Sequence, residues 1–264
     1  MMGFFLPGIY TIGVPGFEEM CMSFKSELYQ TIELSEVDST NRYLKTELSE
    51  GRLTGPIFCR AHSQTAGYGQ RGRAWTQSLD SLTFSIGLPF DGRIGEMPFI
   101  SAQIALLLRQ SIAEASHATN LTVKWPNDVF LDGKKVAGCL IEMLSPSPSR
   151  KEGYLIIGVG VNCSPVSGDG FDAQYVNDLD SGRFFQSFSV ALYELFMVDM
   201  PPVFKLGEWR NHDFFTPGQE VIVYHNDSSE TGRYTGLDEM ACAMVEIEGR
   251  VKRYQSGAVS IRPL

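Results

Sequence analysis

KWPNDVFLDGKKVAGCLIEML, Lys124 to Leu144, is the stretch that decides the fold. Two apolar runs containing β-branched residues flank Asp132-Gly133, a dipeptide that accepts the positive φ angles of a tight hairpin turn. An antiparallel pair therefore sits at mid-chain, and its neighbours also read as strands. Upstream, LTVKW (121–125) is a short strand stopped by Pro126; downstream, Tyr154 to Val161 is a buried strand behind a proline-broken loop, Ser145 to Arg150. Further out, QTIELSEV (30–37) alternates apolar and polar, and Asp38-Ser39-Thr40-Asn41 can cap a helix through Tyr43, Leu44 and Leu48. Gly55 to Arg60 and Ser81 to Leu88 read as strands, and Phe99 to Ala118 as a long, largely buried helix. Two helical segments follow, near 184–198 and 201–211. From Thr216 the character changes to short alternating strands: QEVIVYH, GRYTGLDE, CAMVEIEG, VKRYQ and VSIRP. That pattern predicts a small closed barrel, with Pro217-Gly218 at the boundary. The expected fold is α+β: a mixed β-sheet packed with helices over 30–213, a β-barrel over 214–264, and an N-terminal extension over 1–29.

The bulk composition narrows the function. A chain of 264 residues with 43% hydrophobic residues can fold around its own core without disulfides or a structural metal. A net charge of −9 excludes a broad phosphate-binding coat and disfavours DNA, while leaving room for a local basic loop that holds a nucleotide. The five cysteines (Cys21, Cys59, Cys139, Cys163, Cys242) form no C-x-x-C pair and read as small hydrophobes in a reducing compartment. Residues 1–17 are apolar, contain no basic residue and are broken by Pro and Gly, which fits neither a signal peptide nor a transit helix; Met20 and Met22 are alternative starts. No stretch reaches the roughly 20 apolar residues of a membrane helix. The expected setting is cytoplasmic.

Three segments carry chemistry. GYGQRGRAW, Gly67 to Trp75, spaces glycines so that backbone N–H groups can approach a ligand, with Arg71 and Arg73 for a phosphate or carboxylate. Trp75 can wall an adenine or close the loop by stacking. No G-K-[ST] follows, so this is no Walker loop, and no strand–loop–helix unit makes it a dinucleotide fingerprint. Second, Lys124-Trp125-Pro126-Asn127-Asp128 opens a buried hairpin with groups that are costly to bury unpaired. Lys134 reads as a solvated hairpin lysine; for Lys135 a solvated side chain and a charge aimed at a developing phosphate stand even. Third, LIIGVGVNC places Gly158 and Gly160 on one strand face, where either a flat ligand or a close-packed helix must press, with Asn162 following on that face. The four histidines (His62, His117, His212, His225) support neither a zinc site nor a Ser-His-Asp mechanism. A lysine, arginines and a glycine loop suit nucleotide activation of a carboxylate.

Taken together the segments resemble the biotin–protein ligases. GYGQRGRAW corresponds to that family's G-R-G-x-x-G-R-x-W loop, Lys124 to Asp128 to its K-W-P-N-D, Lys135-Val136-Ala137-Gly138 to K-x-A-G, Gly158 to Asn162 to G-x-G-x-N, and Asp38 to Asn41 to D-S-T-N. Order and spacing agree over roughly 30 to 262. The resemblance implies a class II synthetase-like catalytic domain with an SH3-like barrel. It implies ATP and biotin as substrates, Mg²⁺ on the phosphates, and the biotin carboxyl carrier domain of a carboxylase as partner. It implies no nucleic acid, no membrane, no protein-bound metal site and a possible homodimer. Biotin would contact Ser39, Thr40, Asn41, Gln64, Gly67, Tyr68, Gly69, Gln70, Lys135, Gly138, Gly158 and Gly160. ATP would contact Arg71, Gly72, Arg73, Trp75, Lys124, Asn127 and Asn162. Lys135 would bridge the biotin carboxylate and the α-phosphate, and Asp128 would orient or accept the acceptor lysine's proton.

Two departures bear on this. Tyr68 and Gln70 stand where many relatives carry loop arginines, so the loop is expected to hold the adenylate less tightly. Bifunctional members carry an N-terminal winged helix, and 37 residues before Asp38 are too few for one, so a ligase without repressor function is expected. The competing readings are a lipoate or octanoate ligase on the same fold, against which K-W-P-N-D stands and whose R-R-x-x-G-G-G is missing, and a non-catalytic biotin sensor, against which Lys135 and Asp128 stand.

Overall fold

The structure is a computed structural model that describes residues 28–76, 78, 80–90, 98–147, 152–165, 173–198 and 202–264. Most of the 1–29 extension, Cys21, the end of the Ser145–Arg150 loop and the start of the 201–211 segment lie outside those residues. Leu28 and Tyr29 are inside them. Tyr29 is buried, its hydroxyl donates to the Ser189 carbonyl at 2.7 Å, and the packed body thus begins before Gln30.

Seven strands make the main sheet: β1 (Gln30–Val37), β2 (Ile57–Gln64), β3 (Leu82–Phe90), β4 (Leu121–Lys124), β5 (Asp128–Leu131), β6 (Lys134–Leu144) and β7 (Gly153–Val161). Their order is β1-β2-β3-β7-β6-β5-β4, parallel between β1 and β2 and antiparallel elsewhere, which makes the sheet mixed. The parallel pair needs a crossover, supplied by α1 (Thr40–Ser49). Ser39 caps it by accepting from the Arg42 N–H, and the Asp132-Gly133 turn has φ of +50° and +78°, as its sequence demands.

The two faces of β7 show how the layers form. Leu155, Ile157, Val159 and Val161 face one large core shared with α2 (Ile100–Glu114) and α3 (Ser181–Tyr193). Tyr154 and Ile156 face a smaller core closed by Leu44 and Leu48 of α1. Burying a side chain of that size contributes roughly 1.5–3 kcal/mol, so both layers are held by ordinary apolar burial. A helix α4 (Leu206–His212) leads to the second sheet.

That sheet comprises β8 (Glu220–Tyr224), β9 (Ser229–Leu237), β10 (Ala243–Ile247), β11 (Arg250–Tyr254) and β12 (Ser260–Pro263), in the antiparallel order β11-β10-β9-β8-β12. Among the described residues no ladder joins its edges β11 and β12, so it is a five-stranded sheet where a closed barrel was expected. It packs on the first sheet through a continuous core: Trp125 donates Nε1–H to the Ala241 carbonyl at 2.8 Å, and Phe215 lies 5.0 Å from the Tyr234 ring. No helix among the described residues is long and apolar enough to cross a membrane.

Strand ends differ modestly from the sequence reading. β2 runs four residues past Arg60, because parallel pairing with β1 carries it to Gln64. The long helix stops at Glu114 rather than Ala118.

Candidate active site

The apolar side of α1 covers β7 as far as Ile156. Under the helix N-terminus and past it the same face continues as Gly158 and Gly160 and opens into a cavity of about 350 Å³. Of the pressures weighed for these glycines, the helix supplies one, at Gly158, and at Gly160 it is a side chain of the loop that presses. A Cβ at Gly158 would lie 2.5 Å from Asn41 Oδ1 at the start of α1, and one at Gly160 would lie 2.3 Å from the Trp75 ring. Asn162, next on that face, is buried; its Nδ2 donates to the Gln174 carbonyl at 3.3 Å, and its Oδ1 has no partner among the described residues. The Trp75 Nε1–H is likewise buried without an acceptor among them.

The facing strand is bulged. Val129 pairs with Ala137 but Phe130 with Lys135, so Val136 is the extra residue. Strict alternation would put Lys135 and Gly138 on opposite faces; the bulge brings both to the cavity. Lys135 Nζ lies 2.7 Å from Asp128 Oδ1 and 5.6 Å from the centre of the Trp75 ring. A Cβ at Gly138 would come within 2.8 Å of Asp128 Oδ1 and 3.2 Å of Lys135 Nζ, so the K-x-A-G glycine leaves room for this ion pair.

Lys124 Nζ sits 5.1 Å, 5.3 Å and 5.9 Å from the rings of Phe130, Phe214 and Phe215. Burial lowers its pKa, against the opposing pull of Asp128. Asn127 lines the cavity too, but its amide donates to the Cys139 carbonyl and so ties the β4–β5 turn to β6.

The opposite end of the cavity is neutral and closely hydrogen-bonded. The Thr40 N–H donates to Gln64 Oε1 at 2.8 Å. Ser85 Oγ lies 2.7 Å from Thr40 Oγ1 and 2.6 Å from Asn41 Oδ1, and Asn41 Nδ2 donates to Glu142 at 2.9 Å. The Tyr68 hydroxyl donates to the same carboxylate at 2.7 Å, with Arg42 over its ring at 5.4 Å.

Of the residues expected to bind, all but Gly67 and Gly72 line this cavity. Those two shape the loop instead. Gly72 has φ +69°, and a Cβ at Gly67 would lie 3.1 Å from Gln64 Nε2. Arg71 also holds a positive φ of +58°, and its guanidinium donates to the Gly257 carbonyl at 3.2 Å, tying the loop to the second sheet. Sequence reading missed Ser260 and Arg262 of β12, which reach the cavity from more than 90 residues away in the chain, and Thr83 of β3. No motif marks them. Ser85 and Glu142, behind the lining, were missed as well.

Residues 34–162 match the biotin/lipoate A/B protein ligase family. They form a biotin/lipoate ligase-family domain. The bifunctional ligase/repressor BirA of Escherichia coli is 27% identical over 242 residues, 86% of this chain and 72% of that protein. The biotin–[acetyl-CoA-carboxylase] ligase of Paracoccus denitrificans is 35% identical over 130 residues, 49% of this chain and 52% of that protein. Among solved structures, the biotin protein ligase from Aquifex aeolicus in complex with biotin and ATP superposes with a TM-score of 0.67 at 27% identity, covering 89% of this chain and 99% of that one. The ligase-family domain thus carries its glycine loop, its K-W-P-N-D block and its K-x-A-G lysine around one cavity.

Proposed function

We propose that the chain is a biotin–protein ligase, activating biotin with ATP and transferring it to a lysine of a biotin carboxyl carrier domain. The observation that carries this reading is the single cavity with a neutral, hydrogen-bonded end and a cationic end meeting at Lys135. The neutral end, lined by Ser39, Thr40, Asn41, Gln64, Tyr68 and Gly158, suits an uncharged ureido head group and an apolar ring. The cationic end, with Lys124, Arg73 and Arg262, suits phosphates. Asn162 Oδ1, buried without a donor among the described residues, fits the exocyclic amine of an adenine.

In the first step a biotin carboxylate oxygen attacks the α-phosphorus, the bond to pyrophosphate breaks, and biotinyl-5′-AMP forms. Lys135 lies where the two reacting groups would meet, and its charge would stabilise the negative charge that develops there. In the second step the acceptor amine attacks the acyl carbon, the bond to AMP breaks, and an amide forms. Asp128 would take or orient the amine's proton once Lys135 has turned to the phosphate. Mg²⁺ would enter with the triphosphate: the described residues contain no cluster of three or more His, Cys, Asp or Glu, and Asp128 is the carboxylate lining the cavity. Its chemistry would be neutralisation of phosphate charge.

The test is transfer. Purified protein, ATP, Mg²⁺ and a biotin carrier domain are incubated with biotin or with lipoate, and the carrier is weighed by mass spectrometry. Biotinylated carrier is expected; modification by lipoate alone would move the chain to the sister branch of its family, and biotin binding with no ATP turnover would make it a sensor.

A further inference from the structure

Glu142 lies two residues past Leu140, where β6 leaves the cavity, and is paired with Ile156, between the small core and the open glycine face. A carboxylate there needs a reason, because a half-buried charge is costly unless it is hydrogen-bonded. It gathers three donors from two separate elements, α1 and the glycine loop. Asn41 at the start of α1 donates at 2.9 Å, Lys45 one turn later at 2.8 Å, and Tyr68 of the glycine loop at 2.7 Å. Burial pushes the Glu142 pKa up, but the bonds from Lys45, Tyr68 and Asn41 outweigh it and leave it lowered, so it stays an anion.

The consequences run in two directions. With its Nδ2 turned to Glu142, Asn41 presents Oδ1 to the Ser85 hydroxyl, which is shared between that oxygen and Thr40 Oγ1, while the Thr40 hydroxyl donates to Gln64 Oε1. The carboxylate thereby fixes which side of the Asn41 amide faces Ser85 at the neutral end. On the other side it holds the loop. Residues 67–75 fold as a miniature hairpin on themselves, with Gly69 N–H to Arg73 carbonyl at 2.8 Å and Trp75 N–H to Gly67 carbonyl at 3.0 Å. Tyr68 ties this unit down onto β6, and Arg42, paired with Asp38, covers the ring from outside.

We propose that Glu142 is a positioning residue: it latches the glycine loop, through Tyr68, to the neutral end of the cavity, through Asn41, and so sets how long the acyl-adenylate is held. The inference rests on the reading of the cavity as a biotin and adenylate site. Because Glu142 does not line the cavity, its effect is on retention and on biotin affinity more than on the chemical step.

The experiment measures dissociation of biotinyl-5′-AMP from wild type, Glu142→Gln, Tyr68→Phe and the double variant, by chase with excess biotin and ATP. The single-turnover rate of adenylate formation at saturating substrate is measured alongside for wild type and Glu142→Gln. Losing one charge-assisted hydrogen bond should speed dissociation by about tenfold or more in each single variant. The double variant should be little faster than either, because both remove one link. The KM for biotin should rise in Glu142→Gln while its single-turnover rate changes far less than its dissociation rate. Tyr68→Phe keeps the ring and removes only the hydroxyl, so it decides the matter even if Glu142→Gln folds poorly. Dissociation unchanged within twofold in Tyr68→Phe, or additive effects in the double variant, would overturn the latch while leaving the ligase reading intact. A wild type that neither forms nor binds biotinyl-5′-AMP would overturn both.

Discussion

The two ends of the cavity are built on opposite principles. At the neutral end Thr40, Asn41, Gln64, Ser85, Tyr68 and Glu142 hydrogen-bond one another. At the cationic end Lys124 is boxed by three aromatic rings, and Asn162 Oδ1 and Trp75 Nε1 are buried with no partner among the described residues. A satisfied network is rigid and selects by shape and by fixed donor direction. Buried groups left unpaired cost free energy in the empty protein, and a ligand that pairs them recovers it. On the proposed reading, the comparison teaches that one end would be preorganised for the acid and the other completed by the nucleotide.

The largest expected effect lies where the ends meet. Lys135→Ala should slow adenylate formation by about 100-fold or more, since it removes the charge facing the reacting phosphate. Rapid-quench measurement of biotinyl-AMP checks this, and a loss under fivefold would make Lys135 a partner of Asp128 and nothing more.

Gly160→Ala comes next. Its Cβ would fall 2.3 Å from the Trp75 ring, so the indole must leave the strand face. The KM for ATP should rise by about tenfold or more, with biotin affinity much less affected. Equal losses for both ligands would erase the division between the ends.

Ser85→Ala tests the neutral end, where it leaves Asn41 Oδ1 and Thr40 Oγ1 without their shared hydroxyl. Leaving buried polar atoms unpaired costs about 1–3 kcal/mol, read as a lower midpoint in urea and a higher KM for biotin, with the KM for ATP nearly unchanged.

The smallest effect is at the loop. Gln70 lines the cavity with an uncharged side chain, so Gln70→Arg should slow adenylate dissociation several-fold through an added charge-assisted contact. No slowing would mean that the Tyr68 tether already limits release.

The same contrast explains what the sequence made legible. Tight turns and short motifs are local, so the Asp132-Gly133 hairpin and the Ser39 cap could be read directly. The glycines at 158 and 160 announced close approach, yet which groups approach them, Asn41 and Trp75, depends on where α1 and the loop land. The bulge at Val136 left no mark in the sequence, because β-branched residues fit regular and bulged strands alike. Lys135 was therefore open between solvent and site until the register was known. Ser85 and Glu142 sat in ordinary alternating strands, and their roles come from partners 44 and 101 residues away. Arg262 reaches the cavity because the second sheet packs against the first, a contact no local pattern encodes.

The most direct test of the account is biotin-dependent exchange of labelled pyrophosphate into ATP, run with biotin, with lipoate and with no acid. Exchange that requires biotin, and is not supported by lipoate, is the expected result. Exchange with lipoate but not biotin, or none with either acid while biotin still binds, would contradict it.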